Sequence, residues 1–332
     1  MAKRIRILLF AACILLTTAM AADDPLRFSP WSEPVNLGPN VNTDLGEFFS
    51  CISKDGLSLY FTATANPKSI PPRFSYGGWD IYVCQRATVD DPWGPAQNLG
   101  PTINTQYDEV GPNLSIDGHR MYFASNRPGG FGGNDLYVSR RHNKRDDLGW
   151  QPPENLGAAV NTDANESHAA IFEDDDTGVI TLYFDSNRPS GPGPYTDDTV
   201  HNGTDIYTSL LGPDEIFGPA TLVAELSTPY ADRRVAIRRD GLELFLSSDR
   251  PGRLGVIDLW VSTRASTSDS WSMPTNLGPV INGPGNTAGA ALSFDATTLY
   301  FQASKPSHPG FGNFDLFMST RTKLKGSDKD KE

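Results

Sequence analysis

The hydrophobic positions of this chain fall in short runs of β-branched and aromatic residues separated by turn residues. Two strand candidates, Glu109 to Ser115 and Arg120 to Ser125, flank the dipeptide Asp117-Gly118. Asp-Gly between two such runs is a strong signal of a tight β-hairpin. A third run, Asp135 to Val138, follows a glycine-rich loop, and a fourth begins near Trp150. No stretch after residue 21 has a helical period, so the pattern predicts an all-β protein.

This four-strand unit recurs five times along the chain. Each copy opens on an aromatic residue, roughly 60 residues after the previous one, which is a period typical of propellers and solenoids. The five openers are Trp31, Trp93, Trp150, Phe217 and Trp271. The strands are apolar on both faces, which indicates sheets packed between neighbouring sheets, as in propeller blades. We therefore predict one five-bladed β-propeller of four-stranded antiparallel blades over residues 29–322, with blades near 44–99, 106–156, 163–223, 229–277 and 284–321.

The phase of the repeat predicts how the ring closes. The last copy ends on its third strand, Asp315 to Arg321, and the charged residues 323–332, for which we predict disorder, contain no aromatic opener. The first opener, Trp31, has no blade before it. We therefore expect residues 29–37 to supply the fourth strand of the last blade, which leaves no open sheet edge.

The N-terminus and the composition predict an exported protein. Residues 1–21 have the form of a secretory signal peptide, with a basic start, an apolar run from Ile7 to Leu16 and a small-x-small site at Ala19-Met20-Ala21. Lipid modification of Cys13 is a rival interpretation that the sequence leaves open. We expect a periplasmic or secreted monomer without a transmembrane segment. The net charge of −12 argues against nucleic acid as a partner.

Two cysteines follow the predicted signal peptide, Cys51 and Cys84. They fall on the first and third strands of one copy, with a strand between them. Because strands are spaced about 4.8 Å apart, their Cα atoms should lie beyond bridging range. We predict two free, buried thiols.

A recurrent acid marks the start of each innermost strand. The aligned residues are Glu47, Glu109, Glu166, Asp232 and Thr287. Fivefold symmetry would place these positions around one mouth of the central channel, together with His168, two residues after Glu166. Crowded carboxylates either share protons or bind a cation. No cofactor is expected, although a cation such as calcium is a candidate ligand of this ring.

Three interpretations of the acid ring compete. In the favoured one, each acid caps backbone N–H groups or pairs with an arginine within its own blade. In the second, the mouth binds a cation, a sugar or a basic peptide. In the third, these acids serve glycoside hydrolysis, in which one carboxyl acts as general acid and another as nucleophile or base. The symmetry breaks at Thr287 and at Asp232, which Arg233 and Arg234 follow, and a specific ligand is expected at such a break.

A second recurrent acid opens every third strand. These residues are Asp80, Asp135, Asp205, Asp258 and Asp315. Arg127, Arg188 and Arg250 recur just before three of them, so we predict a structural Asp/Arg or Asp/backbone turn lock. The third copy also carries a long insertion, Ser190 to Thr204, whose Asp197, Asp198 and His201 match no EF-hand or zinc spacing, so we expect a solvated acidic loop.

Three sequence features carry a family resemblance. These are Ser53-Lys54-Asp55-Gly56 and Ser115-Ile116-Asp117-Gly118 with the Tyr-Phe strand that follows each, the Asn126 to Gly130 loop, and the Asp-(Ile/Leu)-Tyr third strand. Together they resemble the WD40-like repeat of TolB-type β-propellers over residues 31–321, without the N-terminal domain of TolB. The resemblance implies a non-catalytic binding or scaffolding propeller of the bacterial cell envelope, whose partner is an envelope protein or a glycan. A carbohydrate-active enzyme using Glu47, Glu109, Glu166 or Asp232 is the alternative.

Overall fold

The computed structural model describes residues 27–65, 73–189 and 203–324. The predicted signal peptide, Cys13 and most of the charged C-terminal tail lie outside these residues, as do Asp197, Asp198 and His201. The described residues form strands, turns and loops, and none of them belongs to a helix long and apolar enough to cross a bilayer.

In the described part of the chain, twenty strands form five antiparallel four-stranded sheets arranged as a five-bladed propeller, as predicted. Blade 1 contains β2 (Glu47–Ile52), β3 (Ser58–Ala63), β4 (Asp80–Gln85) and β5 (Gln97–Asn98). Blade 2 contains β6 (Glu109–Leu114), β7 (Arg120–Ser125), β8 (Asp135–Arg140) and β9 (Glu154–Asn155). Blade 3 contains β10 (Glu166–Glu173), β11 (Ile180–Ser186), β12 (Asp205–Leu210) and β13 (Thr221–Leu222). Blade 4 contains β14 (Asp232–Ile237), β15 (Glu243–Ser248), β16 (Asp258–Thr263) and β17 (Thr275–Asn276).

Blade 5 closes the ring with a strand from the other end of the chain. Its strands are β18 (Thr287–Leu292), β19 (Thr298–Ser304), β20 (Phe314–Thr320) and, at the outer edge, β1 (Val35–Asn36). Val35 pairs with Met318, and the pairing continues beyond the strand with a bridge between Phe28 and Lys323. The predicted closure by the N-terminal segment is therefore confirmed.

The hydrophobic core lies between neighbouring blades. Between blades 1 and 2, for example, Tyr60, Ile81 and Val83 pack with Met121 and Phe123, all of them fully or almost fully buried. Each sheet is therefore apolar on both faces, which explains why its strands read as continuous hydrophobic runs. Cys51 and Cys84 belong to this core and are both free and buried, as predicted, and burial raises the pKa of each thiol to about 12.

The aromatic openers pack against an arginine at the end of a third strand. The guanidinium carbon lies 4.3–4.4 Å from the ring centroid in the pairs Arg86–Trp93, Arg141–Trp150, Arg264–Trp271 and Arg321–Trp31. Blade 3 differs, because its opener Phe217 forms an antiparallel β-bridge with Leu211 and packs edge-on against Tyr122. The opener therefore fixes the outer strand in every blade.

Candidate functional site

The recurrent acids at the start of the innermost strands lie inside their own blades. We call the set Glu47, Glu109, Glu166 and Asp232, with Thr287 at the fifth position, the acid layer. Glu109 is fully buried and accepts hydrogen bonds from the Thr105 N–H (2.6 Å), the Thr105 hydroxyl (2.7 Å) and the Ser125 hydroxyl (3.0 Å). Its remaining partner is the Arg127 guanidinium at 3.0 Å.

The same arrangement recurs in four blades. The ion pairs are Arg73–Glu47 at 2.6 Å, Arg127–Glu109 at 3.0 Å, Arg188–Glu166 at 3.1 Å and Arg250–Asp232 at 2.5 Å. A threonine four residues before each acid caps it through its N–H and its hydroxyl. Burial raises the pKa of Glu47, Glu109 and Asp232, and the arginine and threonine partners oppose that shift.

The fifth blade lacks the carboxylate of this ion pair. Thr287 stands in place of the acid, Gly283 in place of the capping threonine, and His308 in place of the arginine. His308 Nε2 lies 2.9 Å from the carbonyl oxygen of Ile281, the position that the arginine contacts in the other blades, for example Arg127 at Ile103. The break at Thr287 is therefore a coordinated loss of one buried ion pair.

This geometry bears on the expected ring of acids at the channel mouth. The acid layer residues line neither of the two cavities described below, and their oxygens already accept protein hydrogen bonds. They do not fit a cation such as calcium, which needs several oxygens free to coordinate it. Among the residues that the structure describes, no group of three or more His, Cys, Asp and Glu side chains could hold a metal ion.

The acids that open the third strands bind backbone and amide groups. Asp135 accepts from the Phe131 N–H (2.6 Å) and the Gly132 N–H (3.2 Å), and from the side-chain amide of Asn155 (2.8 Å). Asp80, Asp258 and Asp315 repeat this pattern. The preceding arginines pair with the acid layer instead. Each of these aspartates fixes the loop before its strand to the outer strand of the same blade.

The channel is lined by a different position of the innermost strands, the third residue. These residues, which we call the channel layer, are Phe49, Gly111, His168, Arg234 and Gly289, and every one has a positive φ. In every blade the strand pairing shifts register at this point, which identifies a β-bulge. The bulge turns this side chain towards the propeller axis.

Hydrogen bonds from the channel layer join neighbouring blades. The Phe49 N–H donates to Gln302 (2.8 Å), and the Arg234 N–H donates to Asp185 (3.0 Å). In the same way, the Gly111 N–H donates to the Thr62 hydroxyl, and the Gly289 N–H donates to the Ser247 hydroxyl. In blade 2 the equivalent residue is Ala124, which has no side-chain acceptor for the His168 N–H. The layer keeps one backbone geometry while its side chains all differ or are absent.

His168 and Asp185 form a buried pair at the channel. The His168 Nδ1 lies 2.9 Å from Asp185 Oδ1, and the carboxylate side chain is 3% exposed. Because burial lowers the pKa of His168 against the opposing effect of Asp185, the ring is neutral near pH 7. The carboxylate can only accept, so Nδ1 carries the proton and Nε2 is left with a lone pair. Nε2 is buried and has no hydrogen-bond partner.

Two arginines adjoin this pair. The guanidinium of Arg234 lies 4.1 Å from the ring centroid of Phe49, which in turn packs edge-on against His168 at 4.6 Å. Burial and the charge of Arg233 lower the pKa of Arg234 well below its usual value. The Nε atoms of both arginines are buried without a hydrogen-bond partner.

Two connected cavities follow the propeller axis. The narrow one, with about 30 Å³ open to the centre of a water molecule, is lined by Phe49, His168 and Arg234 among others. The wider one, with about 120 Å³, opens among the hairpin turns and is lined by residues of all five innermost strands. Ser50, Asn113 and Ala290 line both cavities, so they are two parts of one channel.

Aromatic rings stand at the end of the channel where the innermost strands begin. The ring of Phe48 packs edge-on against Trp79 at 4.6 Å and in a tilted arrangement against Phe314 at 4.9 Å. All three side chains are only partly buried. Flat, partly exposed aromatic surface beside buried polar groups is a common composition of small-molecule sites.

Several of these residues escaped sequence reasoning. The structure joins two predicted residues, His168 and Arg234, to Phe49 and Asp185, which the motifs did not single out. The signal for the bulge was available, because Gly111 and Gly289 lie inside strand patterns, and glycine there often marks a bulge.

No family model matches the chain, and no curated protein matches it. Solved structures do resemble it. The catalytic domain of a GH62 α-L-arabinofuranosidase from Coprinopsis cinerea is 13% identical, with a TM-score of 0.57 over 88% of this chain and 97% of that one. An α-L-arabinofuranosidase from Lactobacillus brevis is 16% identical, with a TM-score of 0.57 over 88% and 95%. A GH43 β-xylosidase/α-arabinofuranosidase from a compost metagenome is 13% identical, with a TM-score of 0.54 over 91% and 96%.

These findings correct the family assignment. The TolB-type, WD40-like assignment is wrong, because the solved structures that this chain resembles along most of their own length include GH43 and GH62 glycoside hydrolases. The prediction of a non-catalytic, protein- or glycan-binding scaffold of the cell envelope depended on that assignment and is contradicted with it. The repeat motifs specify the construction of a blade, which unrelated propellers share. At these identities, the comparisons establish the five-bladed fold.

Proposed function

We propose that this protein is a carbohydrate-active enzyme of the glycoside hydrolase type, with its reactive centre in the channel layer. Support comes first from the fold, since the similar solved propellers include arabinofuranosidases and a xylosidase. The observation that carries the proposal is the buried His168–Asp185 pair beside Arg234 and Phe49. Each of these residues occurs in one blade alone, so none of them belongs to the repeat that builds the blades.

The geometry supports a base at His168. A proton acceptor near neutral pH needs a lone pair aimed at the reacting water and a fixed orientation. His168 Nε2 has the lone pair, and Asp185 fixes the ring through Nδ1 at 2.9 Å. Asp185 would also stabilise the imidazolium that forms when the ring takes a proton. Asp185 is thus a positioning residue and His168 the candidate general base.

The surroundings suit a sugar. Phe48, Trp79 and Phe314 offer partly exposed ring faces at the channel end. Such faces pack on the apolar face of a sugar ring, while buried polar groups bind its hydroxyls. Departure of the leaving oxygen also requires a proton donor, a role that we assign to none of the described residues.

Hydrolysis assays test the proposal. Purified protein is incubated with 4-nitrophenyl α-L-arabinofuranoside, 4-nitrophenyl β-D-xyloside and a panel of plant and bacterial oligosaccharides, and sugar release is measured. We expect His168→Gln and Asp185→Asn to lower the rate by about 100-fold or more, the range for losing a general base.

Glu109→Gln is the matched control. It changes a carboxylate in the acid layer, away from the channel, so the rate per folded molecule should stay within about twofold of the parent, as for a group with no transition-state contact. Turnover lost in Glu109→Gln but kept in His168→Gln would move the chemistry to the acid layer. No sugar release from any substrate, or binding of a sugar without turnover, would contradict the proposal.

A further inference from the structure

The arginines that pair with the acid layer contrast with two arginines of blade 4. Each of the four in the acid layer pairs with its acid at 2.5–3.1 Å. Arg233 and Arg234 form no ion pair with any residue that the structure describes. Both occur in one blade alone, at and beside the bulge of β14.

Their surroundings leave positive charge uncompensated. Both Nε atoms are buried and lack a hydrogen-bond partner, and the two guanidiniums lie close enough to repel each other. Asp185 is the carboxylate that acts on this group, and it already accepts from His168 and from the Arg234 N–H. A buried donor without a partner costs free energy unless a ligand supplies the acceptor.

The size of the narrow cavity limits the ligand. A water molecule needs about 10–15 Å³ of such volume, so the 30 Å³ beside Arg234 and His168 holds about two oxygen atoms. That space suits the two oxygens of a carboxylate better than the three of a sulfate ester. The rest of a sugar would lie outside this part, where Phe48 and Trp79 form the aromatic surface.

We propose that the channel selects a sugar carrying a carboxylate, a uronic acid, whose charged group is bound by Arg234 beside the charge of Arg233. The planar guanidinium matches a carboxylate with paired N–H donors. This inference deepens the proposed function and rests on it for the assignment of a sugar as ligand.

Calorimetric titration of the full chain tests it with three probes: methyl β-D-glucuronoside, methyl β-D-glucoside and glucose 6-sulfate. We expect the glucuronoside to bind at least about tenfold more tightly than the glucoside, as expected for charge-assisted hydrogen bonds. Added salt should weaken binding of the glucuronoside and leave binding of the neutral glucoside unchanged. Tighter binding of the sulfate than of the glucuronoside would overturn the carboxylate assignment, and equal or stronger binding of the glucoside would overturn the proposal.

Variants locate the contact. Arg234→Gln and Arg233→Gln should each cut glucuronoside affinity by about tenfold or more and leave glucoside binding unchanged. Arg234→Lys keeps the charge without the paired donors, so its affinity for the glucuronoside should lie between that of the parent and that of Arg234→Gln. Arg239→Gln is the matched control, because Arg239 also lines the channel but at its wider end. Thermal melting confirms that each variant is folded.

The outcomes separate this inference from the proposed function. Hydrolysis of neutral glycosides with no preference for uronosides, and full activity in Arg233→Gln and Arg234→Gln, would overturn the inference and leave the enzyme. Arginine-dependent binding of the glucuronoside with no turnover of any glycoside would overturn the enzyme and leave the site. Failure of all three probes to bind would overturn the inference.

Discussion

The acid layer and the channel layer lie two residues apart on the same strands, yet they differ in almost every respect. In the acid layer the same acid, threonine and arginine recur in four blades, and every charge has a partner. In the channel layer the backbone recurs while the side chains are Phe, Gly, His, Arg and Gly. Buried charge is compensated in the first layer and left open in the second. Repetition thus identifies what builds a blade, and its absence identifies where a ligand would act.

The largest effect should follow from removing the strand on which both layers depend. Deleting residues up to Leu37 exposes the edge of β20 and removes Trp31 from its contact with Arg321. The ring would lose its closure, so we expect loss of cooperative unfolding or a large fall in Tm, measured by circular dichroism and calorimetry. Deleting 325–332, outside the described residues, is the control. Equal Tm values for the two deletions would disprove the closing role of the strand.

A single change in the acid layer should cost less, but still a great deal. Glu109→Ala leaves the Arg127 guanidinium and the Thr105 N–H buried without their acceptor. Removing one member of a buried pair typically costs about 3–5 kcal/mol. Urea denaturation would measure this loss as a fall in the free energy of unfolding.

Blade 5 supplies the control for that experiment. Thr105→Gly, Glu109→Thr and Arg127→His together reproduce the arrangement of Gly283, Thr287 and His308. The triple variant should be more stable than Glu109→Ala, since no guanidinium is left buried without its carboxylate. If it is less stable, the interpretation of blade 5 as a compensated loss does not hold.

In the channel layer, replacing a charged side chain should raise the free energy of unfolding instead of lowering it. Arg234 has a φ of 60°, a conformation that costs an L-residue roughly 1–2 kcal/mol, and Gly111 and Gly289 occupy the same position without that cost. Arg234→Gly also removes an unpaired buried charge. We expect the free energy of unfolding to rise by about 1 kcal/mol, while ligand binding is lost. Gly289→Ala, the matched reverse change, should destabilise, because its Cβ would lie 2.7 Å from Gln302 Oε1. A stability loss in Arg234→Gly would show that this arginine supports the fold.

The smallest effect concerns pH. The folded pKa of His168 lies below its unfolded value of about 6.5, because burial and the charges of Arg233 and Arg234 outweigh Asp185. The unfolded chain therefore binds more protons below that pH, and stability falls as pH drops below 6.5. His168→Gln should flatten this slope in urea melts between pH 7.5 and 5. An unchanged slope would show that His168 is not the group responsible.

The sequence predicted the blades because blade chemistry is local. Asp117-Gly118 fixes a hairpin. Trp150 and Asn155, set among turn residues, mark an outer strand. Both features can be predicted without tertiary contacts. Ring closure followed from the phase of the repeat alone.

The site was less predictable because it depends on a single extra residue per strand. A β-bulge changes which side chains face the axis, so an alignment that correctly found Glu109 and Glu166 assigned them to the channel instead of the blade interior. Asp185 reaches the site from a second strand, and Arg73 reaches Glu47 from a longer loop outside the Asn-Arg-Pro pattern. These contacts arise only once the chain is folded.

The closing strand has a mechanical consequence. Residue 28 pairs with residue 323, and the Leu324 N–H donates to the Arg27 carbonyl at 2.7 Å, so the two ends of the ring leave the same rim side by side. Tension applied through these residues would load the hydrogen bonds of β1 one after another, as in opening a zip, instead of all at once. Force applied between the two ends would therefore separate β1 from β20 and open the ring at blade 5 first.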